Sequence, residues 1–152
     1  MLRGVGDSRR RPSCLHGAQG LVVDYARGAL YFQKACDLRN YEACWNLGLG
    51  YLNGDGVERD HDKAVALLEK GCTGGQARGC LNLGIAHHDD PGHTDPVKAF
   101  DAFVRSCELG DDEGCYRQAR SLEHGDGTLR DTEAAAKLYK RAGHTLACSH
   151  TP

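Results

Sequence analysis

The eight cysteines are the residues of this chain best spaced for chemistry. Six of them fall into three pairs of constant separation, Cys36/Cys44, Cys72/Cys80 and Cys107/Cys115. Local zinc chelates prefer two to four residues between cysteines, and each pair here is separated by seven. Burial as small hydrophobes is the other bland reading. One spacing repeated three times favours disulfides. On the chain-entropy model each would close a short loop worth ~2.5 kcal/mol. Cys14 and Cys148 fall outside the phase and are expected to be free thiols.

A second cluster is His87, His88, Asp89, Asp90 and His93. Imidazole and carboxylate both ligate zinc. However, adjacent His87 and His88 point apart at a helix end, and the segment reads as an exposed turn. A solvated loop with no metal and no cofactor is the expectation.

Serine chemistry needs a nucleophile beside a base, as in Ser-x-x-Lys or the Gly-x-Ser-x-Gly elbow. Ser8, Ser13, Ser106, Ser121 and Ser149 have no lysine three residues on, and no such elbow occurs. No catalytic residue is assigned.

Asn46, Asn82 and Arg117 each lie two residues after a phased cysteine, and Asn53 and His124 lie farther along the same segments. Asparagine both donates and accepts, which suits an extended peptide backbone. Matched asparagines in adjacent units would form a ladder along a binding groove. The alternative is that Asn46 and Asn82 satisfy backbone groups of their own helices. Trp45 and Tyr116 share one register and read as core.

These residues are positioned by a repeat. Lys63-Ala64 through Cys72 recurs as Lys98-Ala99 through Cys107, thirty-five residues on, and Asp131 through Gly143 matches Asp60 through Cys72. A period of this length belongs to helical solenoids, whose units stack because none can cover its own apolar face. Cys44, Leu47, Gly48 and Tyr51 mark one face of a first helix. Gly48, Gly84 and Ala119 share a register, as do Ala64, Ala99 and Ala135, and Leu68, Phe103 and Tyr139. A small residue at the first of these registers lets a partner helix approach closely, and small then large at i and i+4 in the second helix suits a tightly crossed pair. Gly54-Asp55-Gly56 and Gly125-Asp126-Gly127 stop the helices, and Asp60 and Asp131 are placed to cap the next ones.

Units are expected at residues 41–72, 77–107 and 112–143, with a partial unit at 20–38 inside a repeat domain spanning 20–143. Residues 1–19 are expected to be a disordered basic segment and 144–152 the truncated start of a further unit or a tail. The chain enters mid-repeat, which fits a fragment. Uncovered ends predict some self-association. The net charge of −2 gives no reason to expect nucleic acid as a partner, and no apolar run approaches the ~18 residues of a membrane span.

Ala35-Cys36-Asp37-Leu38, Cys44-Trp45-Asn46-Leu47-Gly48, Gly54-Asp55-Gly56-Val57 and Lys70-Gly71-Cys72 resemble Sel1-like repeats. More narrowly, they resemble the cysteine-rich bacterial subgroup often catalogued as beta-lactamases. The resemblance covers about residues 20–143. It implies an all-α fold, a right-handed α/α superhelix with one disulfide per repeat, usually exported and so secreted or periplasmic. A branch of cytochrome oxidase assembly factors points instead to the mitochondrial intermembrane space. The resemblance implies either a scaffold holding a protein or peptide partner, or slow binding and hydrolysis of penicillins. The scaffold is the preferred expectation, with Asn46, Asn53, Asn82 and Arg117 as groove residues. The altered turn at 87–93 and Gly143 in place of a cysteine depart from the family pattern.

Overall fold

The computed structural model describes residues 25–143. Residues 1–19, Cys14, Cys148 and residues 144–152, for which the sequence carries expectations, lie outside the described residues. Seven helices and no strand occur among the described residues: α1 (Tyr25–Asp37), α2 (Tyr41–Asn53), α3 (His61–Thr73), α4 (Ala77–Asp89), α5 (Pro96–Glu108), α6 (Asp112–His124) and α7 (Thr132–Gly143). The fold is an α/α solenoid of hairpins, α2–α3, α4–α5 and α6–α7, preceded by α1. None of these helices is long and apolar enough to cross a membrane.

The helix starts are set by side chains. Asn40, Asp60, Asp95, Asp111 and Asp131 accept hydrogen bonds from the backbone N–H groups of Ala43, Lys63, Lys98, Glu113 and Ala134. These satisfy donors that have no partner inside a helix. Gly54 and Gly125 stop α2 and α6 at φ 76° and 71°, in the left-handed region that glycine enters without Cβ strain.

The corners between units repeat almost atom for atom. Asn40, Gln76 and Asp111 donate their backbone N–H to Ala35, Gly71 and Ser106 O. Arg39, Gly75 and Gly110 donate to Cys36, Cys72 and Cys107 O, each at 2.9 Å. This bonding brings the paired cysteine Cα atoms to 4.7, 4.5 and 4.5 Å, and Cys36–Cys44, Cys72–Cys80 and Cys107–Cys115 are disulfides. Such bonds call for an oxidising compartment.

Packing joins the units. Ala64 and Leu68 of α3 share a core with Leu83 and Ala86 of α4 and Ala102 of α5, with Trp45 and Tyr51 against it. Burying a leucine or phenylalanine stabilises by about 1.5–3 kcal/mol, so much of each hairpin's stability depends on its neighbour. First helices of neighbouring units also pack on each other, α2 on α4 and α4 on α6. The wall therefore bends toward the first-helix side. On the second-helix side, Arg105 of α5 reaches Glu69 of α3 at 2.9 Å.

The turn of the middle unit differs from the other two. Asp60 N–H bonds to Tyr51 O and Asp131 N–H to Leu122 O, whereas Asp95 N–H bonds to His87 O. The middle connection is one residue shorter and lacks the paired glycines. His87, His88 and Asp89 form the last turn of α4, so the loop expected over 87–93 begins only at Asp90. α4 nevertheless ends at the same point as α2 and α6, all three being 13 residues long, but it stops at Asp90 with extended backbone (ψ 110°) in place of a left-handed glycine.

Candidate functional site

A cleft of about 290 Å³ opens where α4, α5 and α6 meet the turn after α6, lined by His88, Phe103, Arg117, Arg120, Ser121, His124, Gly125 and Asp126. Arg117, Arg120 or Ser121, and His124 recur at helical spacing, so one face of α6 delivers them together. Arg117 Nε donates to Glu113 Oε2 at 3.1 Å, and its guanidinium lies over the Phe103 ring at 5.8 Å. The His124 ring Nδ1 meets Arg120 O at 2.9 Å. His88 bridges the rim, with Nδ1 2.6 Å from Asp89 Oδ1 and Nε2 3.2 Å from Asp126 Oδ2. Arg117 is already paired with Glu113, and Asp89 and Asp126 flank His88, so an anionic group entering the cleft would meet chiefly the Arg120 guanidinium beside the paired Arg117.

Of the four residues assigned to the groove from sequence, Arg117 lines this cleft and Asn46, Asn53 and Asn82 do not. Asn46 Nδ2 donates to Glu42 O and Asn82 Nδ2 to Arg78 O, each at 2.8 Å. In both, the amide donor bonds the carbonyl one turn back. Asn82 is buried, Asn46 half-buried and Asn53 exposed at the end of α2. Arg120, Ser121, His88 and Asp126 were not foreseen as cleft residues. The polar spacing along α6 was a readable signal, but the contribution of α4 depended on how units stack.

The serines divide. Ser106 is fully buried and its Oγ donates to Ala77 O at 3.0 Å. Ser121 is buried beside the cleft imidazoles.

The five-residue histidine–aspartate cluster also divides. His88 and Asp89 face the cleft rim, while Asp90 and His93 turn toward His61 at the start of α3. Burial, followed by the nearby charge of Lys98, lowers the pKa of the half-buried His87 imidazole. Burial opposes ionisation of Asp90. The Gly92 N–H, His93 and His61 outweigh it, and the carboxyl sits below its ordinary range.

Cytochrome c oxidase assembly factor 7A of Xenopus laevis is 32% identical over 148 residues, which cover 90% of this chain and 63% of that protein. The chain thus spans somewhat under two thirds of that relative's length. HcpC of Helicobacter pylori, provisionally named a beta-lactamase, is 45% identical over 40 residues, 26% of this chain and 14% of its own. Among solved structures, a protective antigen of uropathogenic Escherichia coli with an SLR fold superposes with a TM-score of 0.74 at 30% identity, covering 80% of this chain and 26% of that one. The cysteine rich protein B of Helicobacter pylori superposes with a TM-score of 0.64 at 23% identity, covering 89% of this chain and all of that one. At that identity the likeness concerns the fold. The scaffold these proteins share supports a role in protein interaction. The Sel1 repeat model matches residues 13–40, 42–76, 77–111 and 112–144, nearly the whole sequence, and the chain belongs to the Sel1 repeat family.

Proposed function

We propose that the chain is a non-catalytic scaffold that holds an extended, carboxylate-bearing segment of a protein partner along its first-helix face. The observation that carries this reading is the pair Arg117 and Arg120 in a cleft on that face. A guanidinium recognises a carboxylate with two parallel N–H donors. Asn46 and Asn53 offer their remaining polar atoms to the backbone of the same segment, while the buried Asn82 serves its own helix. Disulfides together with a relative named for cytochrome c oxidase assembly favour the mitochondrial intermembrane space over secretion. They also favour an oxidase assembly intermediate as the partner.

A photo-crosslinking residue placed at Arg120, compared with one at the exposed Ala66 of α3, tests this in mitochondria. Crosslinks to an oxidase assembly intermediate from position 120 but not 66, weakened by Arg117→Glu, support the proposal. Equal yields at both positions, or a yield only at 66, contradict it.

Slow beta-lactam hydrolysis is the second reading. It draws on the HcpC name and on Ser121, which lies in the cleft with His88 and His124. Nitrocefin turnover by metal-free protein, abolished in Ser121→Ala, would reverse the ranking. Absence of turnover removes the second reading.

A further inference from the structure

We infer that His61, Asp90 and His93 form a binding site for a divalent transition cation of the zinc type, clamping the first unit to the second. The three offer ligand atoms that all lie within 4.8 Å of one another. His61 Nδ1 is 2.7 Å from Asp90 Oδ2, and His93 Nδ1 is 3.5 Å from the same oxygen. Zinc bonds to nitrogen and oxygen of about 2.0–2.1 Å set tetrahedral ligand atoms roughly 3.3 Å apart. The two separations straddle that value.

The His61 side chain is nine-tenths buried, at 10% exposure. Its Nδ1 is sealed from solvent and, although close to Asp90 Oδ2, is not aligned for a hydrogen bond with it or any other group. A buried ring nitrogen with no aligned partner is costly to leave unmet. A cation between the rings and the carboxylate would satisfy it. The His61 and His93 rings stack at 4.0 Å, tilted by 14°. Two imidazolium rings would repel in that arrangement, whereas two neutral rings leave lone pairs for a metal. Closing on the ion asks His93, half exposed, to swing out of the stack.

Asp90 is held ready for this. Its Oδ1 accepts from Gly92 N–H at 3.4 Å, and its carbonyl accepts from His93 N–H at 2.9 Å and Thr94 Oγ1 at 3.0 Å. The turn is thus braced through the atoms that do not face His61. Arg59 Nη2 also approaches Asp90 Oδ2, at 3.5 Å, from an exposed side chain that can withdraw. Two imidazoles and one carboxylate suit zinc rather than magnesium or calcium, which prefer all-oxygen shells. Three protein ligands leave a fourth position for water. The site lies in the one turn that departs from the glycine pattern of its neighbours, and it joins α3 of one hairpin to the α4–α5 turn of the next.

The test is calorimetric titration of the oxidised full chain with zinc chloride, after chelator treatment and alkylation of free thiols. One equivalent is expected to bind, with affinity falling at least about tenfold in His93→Ala and Asp90→Asn and unchanged in His88→Ala. Zinc should also raise the thermal midpoint of the wild type and not of His93→Ala. Circular dichroism checks folding, and His93→Ala decides the matter if Asp90→Asn misfolds. No binding by the wild type, wild-type binding by His93→Ala, or equal loss in His88→Ala overturns the inference.

Discussion

Gly48 and Leu68 meet so closely that a methyl group added at Gly48 would lie 2.9 Å from Leu68 Cγ and 3.1 Å from Ala64 O. One unit later Gly84 meets the buried Phe103 ring more tightly still. An alanine usually gains about 0.5–1 kcal/mol over glycine inside a helix. Here overpacking outweighs that gain, and Gly48→Ala and Gly84→Ala are each expected to lose about 1–3 kcal/mol. Gly28, with nothing within 4 Å of its added methyl, should show the ordinary gain. Urea unfolding of the three variants measures the contrast.

Arg39 has φ 69° at the corner position where the later units place Gly75 and Gly110. The left-handed region costs a residue with a Cβ about 1–2 kcal/mol. Arg39→Gly is expected to stabilise the chain by up to about 1 kcal/mol, after the added chain entropy of glycine is offset. A raised urea midpoint at unchanged slope would show it.

The Arg105–Glu69 pair ties the second helices together at 2.9 Å. The hydrogen bond from Arg105 holds the Glu69 carboxyl below its ordinary value. A depressed carboxyl stabilises the fold fully above its unfolded pKa of about 4.3, and that contribution fades as pH falls through the folded value. Both side chains are substantially exposed, so the pair contributes only about 0.2–1 kcal/mol. Glu69→Gln should therefore lose that amount at neutral pH and match the wild type near pH 2–3, as read by unfolding curves at the two pH values.

Removing one staple should cost stability without changing the fold. Cys72→Ser with Cys80→Ser is expected to lose about 2.5 kcal/mol by freeing the unfolded chain. The buried Leu68, Leu83 and Ala64 core keeps the helices in place. Denaturant unfolding and far-ultraviolet dichroism together distinguish destabilisation from loss of structure.

The hairpins were legible because Lys63 through Cys72 recurs and because glycine turns and aspartate caps mark each boundary. The close helix approach was legible from the small residues Gly48 and Gly84 in one register, whereas their meeting with Leu68 and Phe103 is a matter of how the two helices cross. What was not legible depends on stacking between units. His61 reaches Asp90 and His93 only because α3 lies beside the next hairpin's turn, and nothing near His61 in the chain signals that. The end of α4 was hidden because His88-Asp89-Asp90 lacks the glycine that marks the other stops. Arg117 was placed on a binding face by its phase with Cys115. Of the neighbours that make a cleft of that face, Asp126 belongs to the turn of the same unit, whereas His88 and Phe103 come from the unit before it.

Peptide mapping of native protein by mass spectrometry under non-reducing conditions, with free thiols alkylated first, tests the three staples most directly. Cys36–Cys44, Cys72–Cys80 and Cys107–Cys115 are expected to be linked within their pairs. Recovery of these six as alkylated thiols, or linked across pairs, would contradict both the corner geometry and the oxidising compartment.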